Sequence, residues 1–588
     1  MELEHGFTTR REWEEYFKKF FAQIRELEEI NSFQMEKEPE QWLADFKQKS
    51  QILEKKYQEN NAYLEQHVYY FTREKHPWQR SIADPLLSFL YRFSTRFEDT
   101  EAAYELAQSL QEYYKTQDDE VALMKCDMIM LNVYDFQSVV SSEYPDEPPY
   151  LSAQQLFEEY DNRMRMLRRF RQEADMELQL NQVLPYFENC WTSNFLRMFI
   201  NTSERERLDF TKEQLTCQLA LADELKQKAQ LSGSVVTKVK YGTICLMLRY
   251  FLGEEEQKTI NEKLMYYETQ LPHERMTVWE EYDDETIDSF NLILKSLCVL
   301  VEDFPECKEG IQRVFGHLLD MYTHFPSNNY LECVADGFIY LYLIPALRYL
   351  ETEEILPALL RLTVYRQPQT LFHTVIVARS ARLVMREIIR QRPEYLLGVL
   401  SCHNTEDVKK KEKELTDFIE IGALLHDVGK ILCTNVINMQ YRRLNNLEFQ
   451  VIKYHPVTRR HILQQVPYLQ QYTDIAAGHH KTYDGLYGYP HEFDYYRTPN
   501  KIFIDLVRIC DSFDAATDYL GRSYAKNKTF EQVLKELKMG SGTCYSKEMT
   551  DLIVKSPSLQ QDLEKLLLHD RETICLDMYT KMKGLLQE

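Results

Sequence analysis

The sequence predicts an all-α chain, and two observations carry that prediction. Glycine and proline number only 17 and 19 in 588 residues, too few for a turn-rich β architecture. Residues 1 to about 360 repeat apolar positions at three- and four-residue spacing, broken only by short polar interruptions, which is the period of a helix. The length allows several domains with large cores of their own.

Along the first half, AAYELAQSLQEYYKTQDDEVALMKCDMIMLNVY places Ala103, Leu106, Ala107, Leu110 and Tyr114 on one helical stripe. KTQDDE reads as the turn, and Val121, Met124, Met128 and Leu131 as a second stripe. A comparable helix–turn–helix begins at Leu219 in LALADELKQKAQLSGSVVTKVKYGTICLMLRYFLG. FIYLYLIPALRYL, residues 338–350, is too short for a membrane span and reads as a buried helix. Paired helices with small residues near the crossing resemble tetratricopeptide-type repeats over part of residues 1–360. An irregular helical region is the plainer reading of the same pattern. As repeats, these helices would serve a regulatory or interaction role and bind a peptide, a protein partner or a second subunit in a homodimer.

The net charge of -23 argues against a nucleic-acid polymer or an anionic membrane as partner. The N-terminus has no apolar h-region, so the reading is a cytoplasmic chain without a secretory signal. The 12 cysteines form no CxxC pair and read as reduced core residues.

Pro368 marks a boundary, and the second region runs over 365–588. Eight of the 15 histidines lie between His373 and His491, so the chemistry is sought there. FIEIGALLHDVGKIL reads as a nearly continuous apolar helix carrying His426 and Asp427 in its middle, with Lys430 one turn on. His373 shares a helical face with Val377, Ala381, Val384 and Ile388. His455 precedes Pro456, a residue suited to starting a helix. His479 and His480 are adjacent, and Asp511 and Asp514 lie on a later apolar helix. A lone core histidine or a capping aspartate has a structural explanation. Five inward histidines, an HD pair and a later aspartate are too many polar groups for an unligated core, and two divalent metals would satisfy them.

The order H…HD…H…HH…D resembles the HD phosphohydrolase superfamily. HDVGK at 426–430, HP at 455–456, HH with DG and GYP at 479–490, and DSFDA at 511–515 followed by Arg522 and Tyr524 resemble its HD-GYP branch. That resemblance implies a metal-dependent phosphodiesterase that linearises cyclic di-GMP to pGpG or GMP. It implies that Asp427 bridges two metals, and imidazole-rich ligands with two carboxylates suit manganese or ferrous iron. His373, His426 and Asp511 would complete one sphere, and His455, His479 and His480 the other. Lys430 would steady a phosphate oxygen, and Asp484, Gly488, Tyr489, Pro490, Asp514 and Arg522 would line the substrate. Departures from the family pattern are Lys481 where HHE is usual, two residues (Leu486 and Tyr487) between DG and GYP, and Gln369 where a third-metal glutamate can stand. The altered GYP loop leaves open another cyclic dinucleotide or a nucleotide as substrate, and the repeat-like half leaves open a non-catalytic binding or scaffold role.

Overall fold

The computed structural model describes residues 37–45, 68–93, 100–119, 153–173, 210–277, 283–325, 337–433, 446–520 and 527–585, with scattered positions elsewhere. Among the described residues the chain is helical and has no strand. Helices Arg80–Phe93 and Thr100–Gln117 pack together through Ala83, Leu86 and Leu90 on one side and Leu106, Leu110 and Tyr114 on the other. All five residues of the predicted stripe from Ala103 to Tyr114 are fully buried. Tyr114 also donates from its hydroxyl to Asp84 Oδ1 at 2.7 Å, so its polar end is satisfied. The second stripe is offset from its predicted register. Val121 is only half-buried, whereas Ala122, Cys126 and Ile129 face the core. Met124, Met128 and Leu131 lie outside the described residues.

The hairpin that contains Leu219 is built as its turn residues require. Thr211 caps helix Lys212–Ser232 by a reciprocal pair of hydrogen bonds with Gln214, at 3.2 and 2.9 Å. Gly233 takes the left-handed conformation at φ +79° and ends that helix. Ser234 then caps Val235–Phe251, so two residues reverse the chain. Val235–Phe251 packs on Asp284–Leu300, which packs on Cys307–His324. The buried Asp288 of the middle helix is held by Arg197 at 2.6 Å and Lys240 at 3.3 Å. Burial disfavours that carboxylate, but Arg197 and then Lys240 outweigh the penalty and keep its pKa below the usual range.

Residues 338–350 bury Ile339, Tyr342, Leu343, Ile344, Ala346, Leu347 and Leu350 but expose Leu341 and Arg348, and they are not one helix. Pro345 has no N–H for the ladder. The stretch breaks into a π-turn at Ile339–Leu343, where Ile344 donates five residues back to Ile339, then Ile344–Ala346 and a 3-10 turn at Leu347–Tyr349. No helix among the described residues is long and apolar enough to cross a membrane.

Pro368 starts the long helix Pro368–Gln391, where its missing donor is harmless. Thr352–Arg366 ends just before it, and Gln367 alone lies between, at φ −139° and ψ 65°. The proline separates helices but not cores. One apolar cluster runs from Phe195 through Leu297, Leu362 and Ile376 to Ile574. Gln367 is itself buried and donates from Nε2 to the Lys430 carbonyl at 2.6 Å, which pins the junction to the turn after Asp427.

Around Pro368–Gln391 lie Glu412–Leu425, Lys501–Thr517 and, from the C-terminal end, Arg571–Leu585. Asn446–Leu463 lies against the 3-10 turn Val428–Cys433. Trp42 reaches this region from the other end of the chain. Its ring stacks on Tyr579 at 4.6 Å and meets Phe372 edge-on at 5.4 Å.

Ile376 is fully buried one turn after His373. Ile376→Ala is expected to lower unfolding free energy by about 2–5 kcal/mol in urea titrations. Leu231→Ala, at a site 88% exposed, should change it by no more than about 0.5 kcal/mol.

Candidate metal centre

Three of the histidines share one local device. His426 Nδ1 lies 2.6 Å from the Ala423 carbonyl, His455 Nδ1 2.5 Å from that of Ile452, and His479 Nδ1 2.9 Å from that of Ala476. Each ring therefore turns back three residues along its own chain. A carbonyl oxygen only accepts, so each Nδ1 carries the proton and, in a neutral ring, each Nε2 is a lone pair. Local sequence makes these carbonyls available. Helix Glu412–Leu425 ends at His426, not beyond it, which places the HD pair at a helix terminus and corrects its expected mid-helix position. Pro456 lies inside helix Asn446–Leu463 instead of starting it. Because Pro456 has no N–H, the Ile452 carbonyl lacks its ladder donor, and the His455 ring takes that place. His479 caps the short helix Thr473–Gly478.

His373 is locked differently. Its Nδ1 donates to Asp514 Oδ2 at 2.6 Å, and Asp514 Oδ1 accepts from Arg571 at 2.5 Å. Arg571 also meets Asp518 at 3.2 Å. Asp514 and Arg571 are both buried, so Asp514 lies behind His373 and not on the substrate side where the sequence placed it. Its position one turn after Asp511 is the signal that would have found it. Arg571 has none, since it comes from outside every motif.

The Nε2 atoms then converge on carboxylates. Those of His373 and His426 lie 3.4 Å from Asp427 Oδ2, and His373 Nε2 lies 3.2 Å from Asp511 Oδ1. Both atoms are buried without a hydrogen bond among the described residues. On the other side, Asp427 Oδ1 lies 3.2 Å from His455 Nε2 and 3.7 Å from His479 Nε2, and those two nitrogens are 3.3 Å apart. Two lone pairs and a carboxylate oxygen facing one another at that range repel unless a cation lies among them. The side chains sort into two candidate metal-binding groups, His373/His426/Asp511 and Asp427/His455/His479/His480. Asp427 faces both. Its Oδ2 also accepts from Lys430 Nζ at 2.5 Å.

Electrostatics accord with ligation. Burial would raise the Asp427 carboxyl, but Lys430 and the imidazoles of His426 and His455 outweigh it and hold the group well below the carboxylate range. Asp511 is likewise held low, mainly by His373 against its own burial. Burial, reinforced by neighbouring rings, pushes His479 and His480 well below the usual histidine range. These rings stay neutral, as metal ligands must.

The loop after His480 closes over it. The Tyr489 ring lies 4.4 Å from the His480 ring. Gly488 adopts φ +93°, and a Cβ there would stand 2.0 Å from the His480 carbonyl oxygen, so only glycine fits. Asp484, expected on the substrate side, is engaged within its own loop, accepting from Thr482 Oγ1 at 2.6 Å and from the Leu486 N–H at 3.1 Å. Pro490 is buried, Lys481 is buried, and Leu486 and Tyr487 form an exposed tip. Arg508, which the sequence reading missed, donates to the His479 carbonyl at 3.4 Å and to that of Cys544 at 2.9 Å. Arg522 and Tyr524 lie outside the described residues.

His373 is the exception in charge. Burial alone would depress it, but the Asp511 and Asp514 carboxylates outweigh burial and push it up to about 9. At pH 7 its metal-free ring therefore holds a proton that a metal must displace. Apparent Mn²⁺ affinity at this group is expected to rise with pH until about 9, with proton release on binding. Competition titrations from pH 6.5 upward check this, and a flat profile would contradict it.

Comparison with known proteins places this region. The HD domain family model matches residues 384–548. A cyclic di-GMP phosphodiesterase of Thermotoga maritima is 32% identical over 172 residues, 29% of this chain and 45% of that protein. The cyclic di-GMP phosphodiesterase response regulator RpfG of Xanthomonas campestris pv. campestris is 28% identical over 167 residues, 28% of this chain and 42% of that protein. The chain thus spans less than half the length of each of these relatives. With its histidines and aspartates gathered at one buried centre, the C-terminal region of this chain carries a domain of the HD family.

Proposed function

We propose that residues 365–588 form a phosphodiesterase of the HD-GYP type that hydrolyses cyclic di-GMP, and that residues 1–360 regulate it. The observation that carries the reading is the division of seven side chains into two groups that Asp427 faces, with imidazole lone pairs turned inward. The names of the two relatives supply the substrate class. Imidazole with carboxylate suits manganese or ferrous iron, and with Asp427 shared each ion has four protein donors, so adding water or substrate takes its coordination beyond the four positions of a zinc site. Two such ions supply charge neutralisation for a phosphodiester and lower the pKa of water.

The chain's own residues do the rest. His373, His426 and Asp511 hold one ion, His455, His479 and His480 the other, and Asp427 both. Asp514, held by Arg571, fixes the His373 ring. Lys430 is in position to take a phosphate oxygen once Asp427 is occupied. The Tyr489 ring forms the wall beside His480, on the side where a nucleotide base would stack. Regulation has a physical route, because Gln367 ties the helical half to the Lys430 backbone. A protein or peptide bound by those helices would act through that link, in a cytoplasmic enzyme whose input arrives from a partner.

The exposed Leu486 and Tyr487, inserted between DG and GYP, favour one second reading. The same chemistry would then act on another cyclic dinucleotide. The test is product analysis after anaerobic incubation of manganese- or iron-loaded protein with cyclic di-GMP. Linear pGpG or GMP should form. Asp427→Ala should lose more activity than the roughly 10–100-fold typical of removing a residue that only hydrogen-bonds a ligand. Turnover of a different cyclic dinucleotide alone would establish the second reading, and undiminished activity in Asp427→Ala would overturn both.

A further inference from the structure

We propose that Glu268, His273 and His317 form a second metal site, in the N-terminal helical region, for a divalent ion of the zinc type. None of the three belongs to the HD domain or to any motif read from the sequence. Glu268 ends helix Gln257–Glu268, His273 lies in the segment that follows, and His317 stands on helix Cys307–His324. One ligand atom from each lies within 4.8 Å of the other two.

The carboxylate is prepared for a ligand. Glu268 is buried, and Arg313 donates to its Oε2 at 2.9 Å, which fixes the group and leaves Oε1 turned to the imidazoles. Oε1 lies 3.5 Å from His317 Nε2 and 4.0 Å from His273 Nε2, beyond hydrogen-bond range for well-formed pairs. A tetrahedral ion bound at about 2.0–2.1 Å sets its ligand atoms roughly 3.3 Å apart, so a small inward movement would close this trio on one ion. The two imidazole rings lie with centroids 4.5 Å apart and planes tilted by 59°, and the His273 ring also rests edge-on against Phe290 at 5.4 Å. Both histidine side chains are 39% exposed, so an ion has an entry path and a fourth position open to water.

Two imidazoles and one carboxylate are a donor set that zinc accepts. Arg313 supports the carboxylate as second-shell partners do, but its charge opposes the ion's. The expected affinity is therefore lower than that of a fully anionic site. An occupied site would tie the segment after Glu268 to the neighbouring helix and stiffen this part of the helical half. The competing arrangement is the Arg313–Glu268 ion pair alone, with the imidazoles beside it and no metal.

The test uses the full chain in the Asp427→Ala background, stripped with chelator and titrated with Zn²⁺ against a chromophoric competitor. His273→Gln and His317→Gln are each compared with that parent, and far-UV circular dichroism checks folding. His273 lies outside a helix, so its variant guards against a folding defect. The expected result is one bound zinc per chain in the parent, lost in both histidine variants, together with loss of the zinc-induced rise in melting temperature. Equal zinc binding in His273→Gln and the parent would overturn the proposal, as would a parent that binds no zinc, which would favour the ion pair.

Discussion

The centre depends on one electrostatic constraint: a buried cluster of imidazole lone pairs and carboxylates must be given positive charge. Backbone carbonyls of Ala423, Ile452 and Ala476 fix the Nδ1 protons of His426, His455 and His479, so those rings cannot turn their N–H groups inward. The His455 and His479 nitrogens consequently face each other beside Asp427. Lys430 supplies one positive charge to Asp427, and protonated His373 supplies another near Asp511. Those two charges offset the two carboxylates, so what remains for a cation is the set of inward imidazole lone pairs, which the surrounding helices hold in place.

Rigidity comes from several layers outward. Asp514 and Arg571 pair in the interior and aim His373, so the C-terminal helix reaches the centre through two side chains. Phe372, next to His373, carries Trp42 and through it Tyr579. Gln367 holds the Lys430 carbonyl at the start of the same helix. The helix Pro368–Gln391 is thus the part that feels both the N-terminal helices and the C-terminal cap. A shift in its first turn would move His373 and the Lys430 turn together.

Much of this was legible in the sequence. The helical period marked Ala103 through Tyr114 and the hairpin that contains Leu219, because amphipathic spacing is local. The order of histidines and aspartates pointed to seven residues that do come together, since imidazole and carboxylate at apolar positions have few other uses. The misses are tertiary. Asp514 was placed toward substrate because its partner Arg571 is 57 residues away. Pro456 was read as a helix start, whereas its missing N–H is used within a helix to orient His455. Asp484 was drawn to substrate by its motif, although its loop engages its Oδ1 twice. Near Val121, which is half-buried, packing turns Ala122 and Cys126 to the core, and the rest of that stripe lies outside the described residues.

The most direct test of the shared carboxylate is a count of metal ions per chain in the purified protein and in two variants, under identical loading with manganese. The account predicts two ions in the unaltered chain, one in His373→Gln and none firmly held in Asp427→Asn. Two ions retained in Asp427→Asn, with the protein folded, would contradict the central place given to that carboxylate.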